Sequence, residues 1–236
     1  MARTDTKTVN DKSAGAPPLV RRTQEQRTKE MRIRLLDATI VALDKHGYAG
    51  TTISVIVKEA GVSRGAHVHH FESKAALIEA AADRLIRKTF KRLGEAAPVG
   101  DDHEDRLRSM VYALWDRVFL TRDGKVILEL LIAARTDKEL ASHLRKIMMR
   151  MKDMYAAAAR HYFEARPDTG FEVEDIIFLT QWQLRGMLLD APLFLKTPPM
   201  RQHLDRWIDL MGRFITPKHN VDGPPPRPEW WDRELP

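Results

Sequence analysis

The sequence predicts an all-α fold of about nine helices, divided into a small N-terminal part and a larger second part. Three observations support this. Apolar residues recur three and four apart along most of the chain, the repeat of a helix with one buried face, and no stretch alternates polar and apolar as a half-buried strand does. Thr51 to Lys74 reads as helix, short glycine turn and helix, followed by the cap of a third. The charge is split: residues 1–93 hold 18 Lys and Arg against 10 Asp and Glu, a balance of +8, whereas the rest of the chain holds 21 against 23, or −2.

Composition removes several classes. No cysteine is present, so disulfides, thiolate metal sites and a cysteine nucleophile are excluded. No apolar run approaches the roughly twenty residues of a membrane span. Residues 1–22 lack the apolar core of a secretory signal, so a cytoplasmic location is expected. A length of 236 residues is enough to bury a small head and a second, larger core.

Residues 1–22, rich in Thr, Lys, Ala, Pro and Arg, form a disordered basic arm by composition. Arg21 and Arg22 either reach a minor groove of DNA or belong to a leader that makes no contact. Residues 23–93 form the head. Its first helix runs from about Gln24 to His46, with Ile33, Leu36, Ile40 and Leu43 inward, and Gly47 ends it. Thr51 and Thr52 stand where an N-cap is needed, Ile53, Ile56, Val57 and Ala60 give the next helix its apolar face, and Gly61 supplies a left-handed end. Ser63 caps a short helix carrying Arg64 to His70. Ser73 caps another, which has Lys74 at its start, Leu77, Ala81 and Leu85 inward, and continues to about Leu93.

A helix-turn-helix unit places its second helix in the major groove of DNA. Arg64 can donate two hydrogen bonds to a guanine edge, Gly65 lets the backbone come close, and Ala66 can touch a thymine methyl. Lys74 can neutralise a phosphate. The candidate DNA contacts are therefore Thr51, Thr52, Ser63, Arg64, Gly65, Ala66, His67, Val68, His69, His70 and Lys74.

These residues also carry a resemblance. His46-Gly47-Tyr48, Thr51-Thr52, the run Ala60 to Ala66, His69-His70-Phe71, Ser73-Lys74 and Leu77 stand in the order found in the DNA-binding domain of the TetR family of bacterial transcription regulators. The chain resembles that domain from about Thr28 to Leu93. Two positions depart from the pattern: Val68 replaces a frequent aromatic and His67 a frequent leucine. The resemblance implies a homodimer built as a four-helix bundle from the last two helices, and a small-molecule pocket in the second domain. No cofactor and no metal are expected.

A break at Gly94 to Gly100 sets the domain boundary, and residues 101–215 form the second domain. Asp101 or Asp102 caps a helix with Leu107, Met110, Val111, Leu114, Trp115 and Val118 inward. The acidic cluster around that cap suits the helix dipole better than a metal. Gly124 precedes an apolar stretch, and Thr136 with Glu139 forms a capping box for a long helix to about Phe163. Two further helices follow, about Glu172–Leu189 and Pro199–Phe214. Their wide apolar faces suit pairing with a second copy across a two-fold axis, with Ile176, Leu179, Gln183, Leu204, Trp207 and Met211 as candidate dimer residues.

Met110, Trp115, Phe119, Met148, Met151, Tyr155, Trp182 and Arg185 are the candidate pocket residues, although a Met and aromatic stripe at helical spacing is more often core than pocket. Arg185, close to Gln181, either holds a ligand carboxylate bidentately, bridges the dimer or pairs with an acid. The tail, residues 216–236, contains Pro224 to Pro226 and Trp230-Trp231 and is expected to be extended or irregular, with the tryptophans able to dock on the body.

The expected function is a sequence-specific regulator and not an enzyme: a homodimeric repressor on a palindromic operator in double-stranded DNA, released by a small apolar or aromatic effector. One alternative is a non-specific architectural DNA-binding protein. Another is an enzyme with a His-based metal site, because His67 and His70 share a helix face. No HExxH motif, phosphate-cradling glycine loop or GxSxG elbow supports the enzyme.

Overall fold

The computed structural model describes residues 23–63, 65, 69–96, 106–194, 199–221 and 223–231. Helix α1 (Gln24–Gly50) opens with a capping box in which the Thr23 hydroxyl accepts from the Gln26 N–H and the Gln26 side chain accepts from the Thr23 N–H. Gly47, at φ 64° and ψ 179°, interrupts the helical backbone after His46, so the expected stop is observed. Helix α2 (Ile53–Ala60) is capped by the Thr52 hydroxyl on the Val55 N–H and ends at Gly61 in the left-handed region, φ 61°. Helix α3 (Lys74–Ala96) starts where Ser73 Oγ accepts from the Ala76 N–H at 3.0 Å. Leu35, Leu43, Ile56, Leu77 and Leu85 form the buried core of this head. Helix α3 continues past Gly94, where the break was expected, and Asp101 and Asp102 lie outside the described residues.

The second domain begins with α4 (Arg106–Leu114), which passes into a π-helical turn, Trp115–Phe119. Helix α5 (Arg122–Ala133) is capped by Thr121, and α6 (Lys138–Tyr162) by Asp137, whose carboxylate accepts from the Leu140 N–H at 2.9 Å. The expected Thr136–Glu139 capping box is therefore not the cap that forms. Thr136 instead donates its hydroxyl to the Ala133 carbonyl, and the carboxylate one residue later is the better partner for orphan N–H groups. Helices α7 (Val173–Phe194) and α8 (Pro199–Met211) complete the helical set among the described residues. Two three-residue strands, β1 (Phe163–Ala165) and β2 (Ile215–Pro217), pair antiparallel with Phe163 opposite Pro217. They qualify the expectation of a purely helical chain, since three residues are too few to reveal a two-residue period. The fold class is all-α as predicted.

Buried charges bolt α3 to the second domain. Asp83 accepts from Arg87 on its own helix and from Arg150 of α6 at 2.7 and 3.0 Å. Asp123, at the start of α5, sits beside Arg92 and Lys88 of α3 at 2.9 and 3.3 Å. Each carboxylate has more than one cation beside it, and only loss of all of them would strand a buried charge, which is far costlier than the net worth of a pair.

The tail is a strap with specific attachments. Buried Arg106 donates to the carbonyls of Lys218 and Val221, and the Tyr162 hydroxyl donates to the Gly223 carbonyl at 3.0 Å. Farther on, Trp231 packs on Phe90 of α3 with ring centroids 5.0 Å apart, and its carbonyl accepts from Arg87. The Arg150 guanidinium lies 5.1 Å from the Trp230 ring. Trp231→Ala is expected to lower unfolding stability by about 2 kcal/mol, less than the cost for a fully buried aromatic because Trp231 is half-exposed. Urea titration followed by far-UV circular dichroism reads this directly. Among the described residues, no helix is long and apolar enough to cross a membrane.

Candidate DNA-binding head and effector cavity

Between Gly61 and Ser73 several of the described residues are exposed. Thr52, Ser63, Gly65 and His69 point to solvent, and a Cβ placed on Gly65 would meet nothing within 4 Å. Arg64, Ala66, His67 and Val68 lie outside the described residues, while Gly65, His69 and His70 lie in turns. The helix expected from Arg64 to His70 is thus not seen among the described residues. Arg32 of α1 donates to the His70 carbonyl at 3.2 Å and lies 4.6 Å over the Phe71 ring, which ties this segment back to the head. Burial, aided by Arg32 and His69, holds the His70 pKa below the ordinary histidine value, so near neutral pH it offers a hydrogen bond and no charge.

Two of the expected contacts are corrected. Thr51 is fully buried and donates its hydroxyl to the Gly47 carbonyl at 2.7 Å, so it closes the α1–α2 junction and cannot reach a partner. Lys74 turns inward: its ammonium donates to the Tyr48 carbonyl at 3.1 Å and lies 4.2 Å over the Tyr48 ring, and burial lowers its pKa. The pull of Tyr48 explains this, because a cation over an aromatic face with a carbonyl acceptor is already solvated by protein.

Tyr48 also joins the head to the second domain. Its N–H donates to Glu129 of α5 at 2.7 Å, and its hydroxyl donates to Asp137 at 2.6 Å, with the phenol pushed up to about 12 chiefly by burial. Glycine suits position 47 because its φ of +64° is one that L side chains rarely adopt, and a Cβ there would also crowd the Glu129 carboxylate at 2.9 Å. Nothing in the sequence marked Glu129 and Asp137 as partners, because the contacts span more than 80 residues.

Inside the second domain lies a cavity of about 30 Å³ between α3, the π-helical turn, α5, α6 and α7. Helix α7 supplies Gln181, Arg185 and Leu188, one face at spacings of four and three; α6 supplies Met151, Met154 and Tyr155. Helix α3 supplies Ile86 and Thr89, and Phe119 closes one wall. Of the expected pocket residues, Phe119, Met151, Tyr155 and Arg185 therefore line it. Met110 instead lines a separate cavity of about 20 Å³ beside Thr180 and Met211. Trp115 is buried core, Met148 is half-buried outside both cavities, and Trp182 is 65% exposed on the far side of α7. Ile86, Thr89, Ile127, Leu128 and Leu131 were missed, since an apolar helix position gives no local sign that it borders a void.

The expected dimer residues divide. Leu179 and Gln183 are exposed on α7, but Ile176, Leu204 and Met211 are buried at 3%, 0% and 2% and belong to the protein's own core. Trp207 turns half inward and donates from its indole N–H to the Thr180 hydroxyl at 3.3 Å. The open apolar face of α7 consists of Leu179, Trp182, Leu189 and Leu193, with Leu210 exposed on α8. Gly186 lies within this face, and a Cβ there would meet nothing within 4 Å.

Residues 35–81 match the profile of the bacterial regulatory proteins of the tetR family. An uncharacterized HTH-type transcriptional regulator of Mycobacterium tuberculosis is 32% identical over 139 residues, covering 59% of this chain and 71% of the relative. The HTH-type transcriptional regulator CymR of Pseudomonas putida is 30% identical over 175 residues, covering 71% and 82%. Among solved structures, a transcriptional regulator from Rhodococcus sp. superposes with a TM-score of 0.61 at 25% identity, over 77% of this chain and 96% of that one. A Saccharomonospora viridis regulator in complex with choline shares the fold with a TM-score of 0.60 at 20% identity, over 79% and 98%. With a small capped N-terminal head and a helical second domain in place, this chain belongs to the TetR family of DNA-binding bacterial transcription regulators.

Proposed function

We propose that the chain is a homodimeric repressor that binds a palindromic operator and leaves it when a small apolar or aromatic molecule enters the second domain. The observation that carries this is the double membership of α3. It starts at Lys74, directly after the segment proposed to face DNA, and its Ile86 and Thr89 form a wall of the cavity. A ligand that enlarges the cavity pushes on the helix that carries the head. In a dimer the two heads must match half-sites about 34–36 Å apart, so a modest displacement loses register. The ligand must bind the released form more tightly than the DNA-bound form for any shift to occur. The choline complex of the Saccharomonospora viridis regulator supports a small-molecule site in this fold.

Arg64 is proposed to read the groove and Thr52, Ser63, Gly65 and His69 to line it. Selection of bound sites from randomised DNA near physiological salt tests the proposal, and an inverted repeat of fixed spacing is the expected product. Arg64→Ala is expected to cost about 1–3 kcal/mol of specific binding and to relax one guanine position in the selected motif. An unchanged motif would remove Arg64 from the reading surface. Enrichment of no motif, with binding that still falls steeply with salt, would favour a non-specific architectural protein.

A further inference from the structure

We infer that the cavity is an anion site for a small amphiphilic carboxylic acid, with Arg185 as the counter-ion, Tyr155 and Gln181 as neutral hydrogen-bonding partners, and apolar walls for the hydrocarbon part. This deepens, and rests on, the proposal that the second domain holds an effector. Arg185 is half-buried yet makes no ion pair or hydrogen bond to any described residue, and desolvation lowers its pKa. Among the described residues, no Asp or Glu lines the cavity. Arg185 stands at the edge of the inward face of α7, between buried Gln181 and Leu188 on one side and exposed Trp182 and Leu189 on the other, and it borders the cavity.

Two further polar groups converge on the same spot. Neither Gln181 side-chain atom has a hydrogen-bond partner although the residue is 2% exposed; the amide approaches the Tyr155 hydroxyl without closing a well-formed bond. Leaving a buried amide unmade is costly, and an acceptor placed there relieves it. The Tyr155 hydroxyl is buried and, with its pKa pushed up to about 12, stays a donor at physiological pH. One guanidinium, one amide and one phenol suit a carboxylate, which accepts from all three and carries one charge. A dianionic phosphate would leave a charge uncompensated against Phe119, Leu131 and Met151.

At about 30 Å³ the cavity admits little more than a water molecule, so the acid must open it. The walls can yield. Met151 and Met154 are flexible side chains, and the π-helical turn at Trp115–Phe119 forms one boundary. Opening moves the wall formed by α3 and α5, and α5 holds the Tyr48 N–H through Glu129.

The test is calorimetric titration of the full-length protein with octanoate and phenylacetate, each beside its uncharged amide, in the wild type, Arg185→Met and Arg185→Lys. The wild type is expected to bind the acids at least about tenfold more tightly than the amides, Arg185→Met to lose that preference, and Arg185→Lys to keep part of it. The thermal midpoint of Arg185→Met should not fall, since an unpaired, half-buried cation is being replaced by an apolar side chain of similar length. Equal affinity for acids and amides, binding of neither, or a preference that survives Arg185→Met overturns the assignment. Operator release is measured separately. Acids that bind through Arg185 without releasing DNA would leave the anion site standing and remove the repressor proposal, whereas release by amides as readily as by acids would do the reverse.

Discussion

In the proposed homodimer, Trp182→Glu is expected to give a monomer that has lost its hold on the proposed two-fold operator. Trp182 is 65% exposed at the centre of an apolar stripe with Leu179, Leu189 and Leu193, beside a flat spot at Gly186. Contiguous exposed apolar residues on one helix face are the mark of a partner surface, and tryptophans near its centre are the commonest energetic anchors. A carboxylate there would have to be desolvated in the interface, raising the dimer dissociation constant by about 2–4 kcal/mol, or roughly 30- to 1000-fold. With one head per molecule the second half-site no longer binds intramolecularly, and operator affinity falls by about 100-fold or more. Sedimentation velocity at micromolar protein reads the first effect and gel shift the second. A variant that sediments as a dimer would place the interface on another surface.

Gly124→Ala is expected to lower the thermal midpoint by roughly 6–12 °C, for a loss of about 3 kcal/mol. A Cβ at this position would meet the Val118 carbonyl oxygen at 2.3 Å, the Phe119 carbonyl oxygen at 2.5 Å and the Phe119 Cα at 2.8 Å. All three are backbone atoms of the π-helical turn, so no side chain can swing aside. Either α5 or that turn must move, and both border the cavity. Thermal unfolding followed by circular dichroism measures the shift. A change below about 1 °C would mean that the turn and α5 do not approach this closely.

The two substitutions act on features of very different visibility in the sequence. The helices themselves were legible, because their signals are local. Thr52, Gly61 and Ser73 act within one turn of the residues that they cap, and the stripes Ile53-Ile56-Val57 and Leu140-Leu144-Ile147 repeat at the helical period whatever they pack against. The helix expected from Arg64 to His70 is not seen among the described residues between α2 and α3. Part of the cavity was legible: Gln181 and Arg185, four apart, are polar residues on an otherwise apolar face of α7.

The sequence by itself determined the all-α class, the helix-turn-helix head and a polar pair set within an apolar helix. Only the tertiary structure decided which side of each amphipathic helix meets the protein's own core. Ile176 and Trp182 lie six apart on α7, and both are apolar, yet one is 3% exposed and the other 65%. Hydrophobic free energy is non-directional, so a wide apolar face does not say whether its own domain or another surface will cover it. The same limit hid the inward turn of Lys74 onto Tyr48 and the grip of Glu129 and Asp137 on that tyrosine. These are contacts between residues far apart in the chain, made only once the helices have packed.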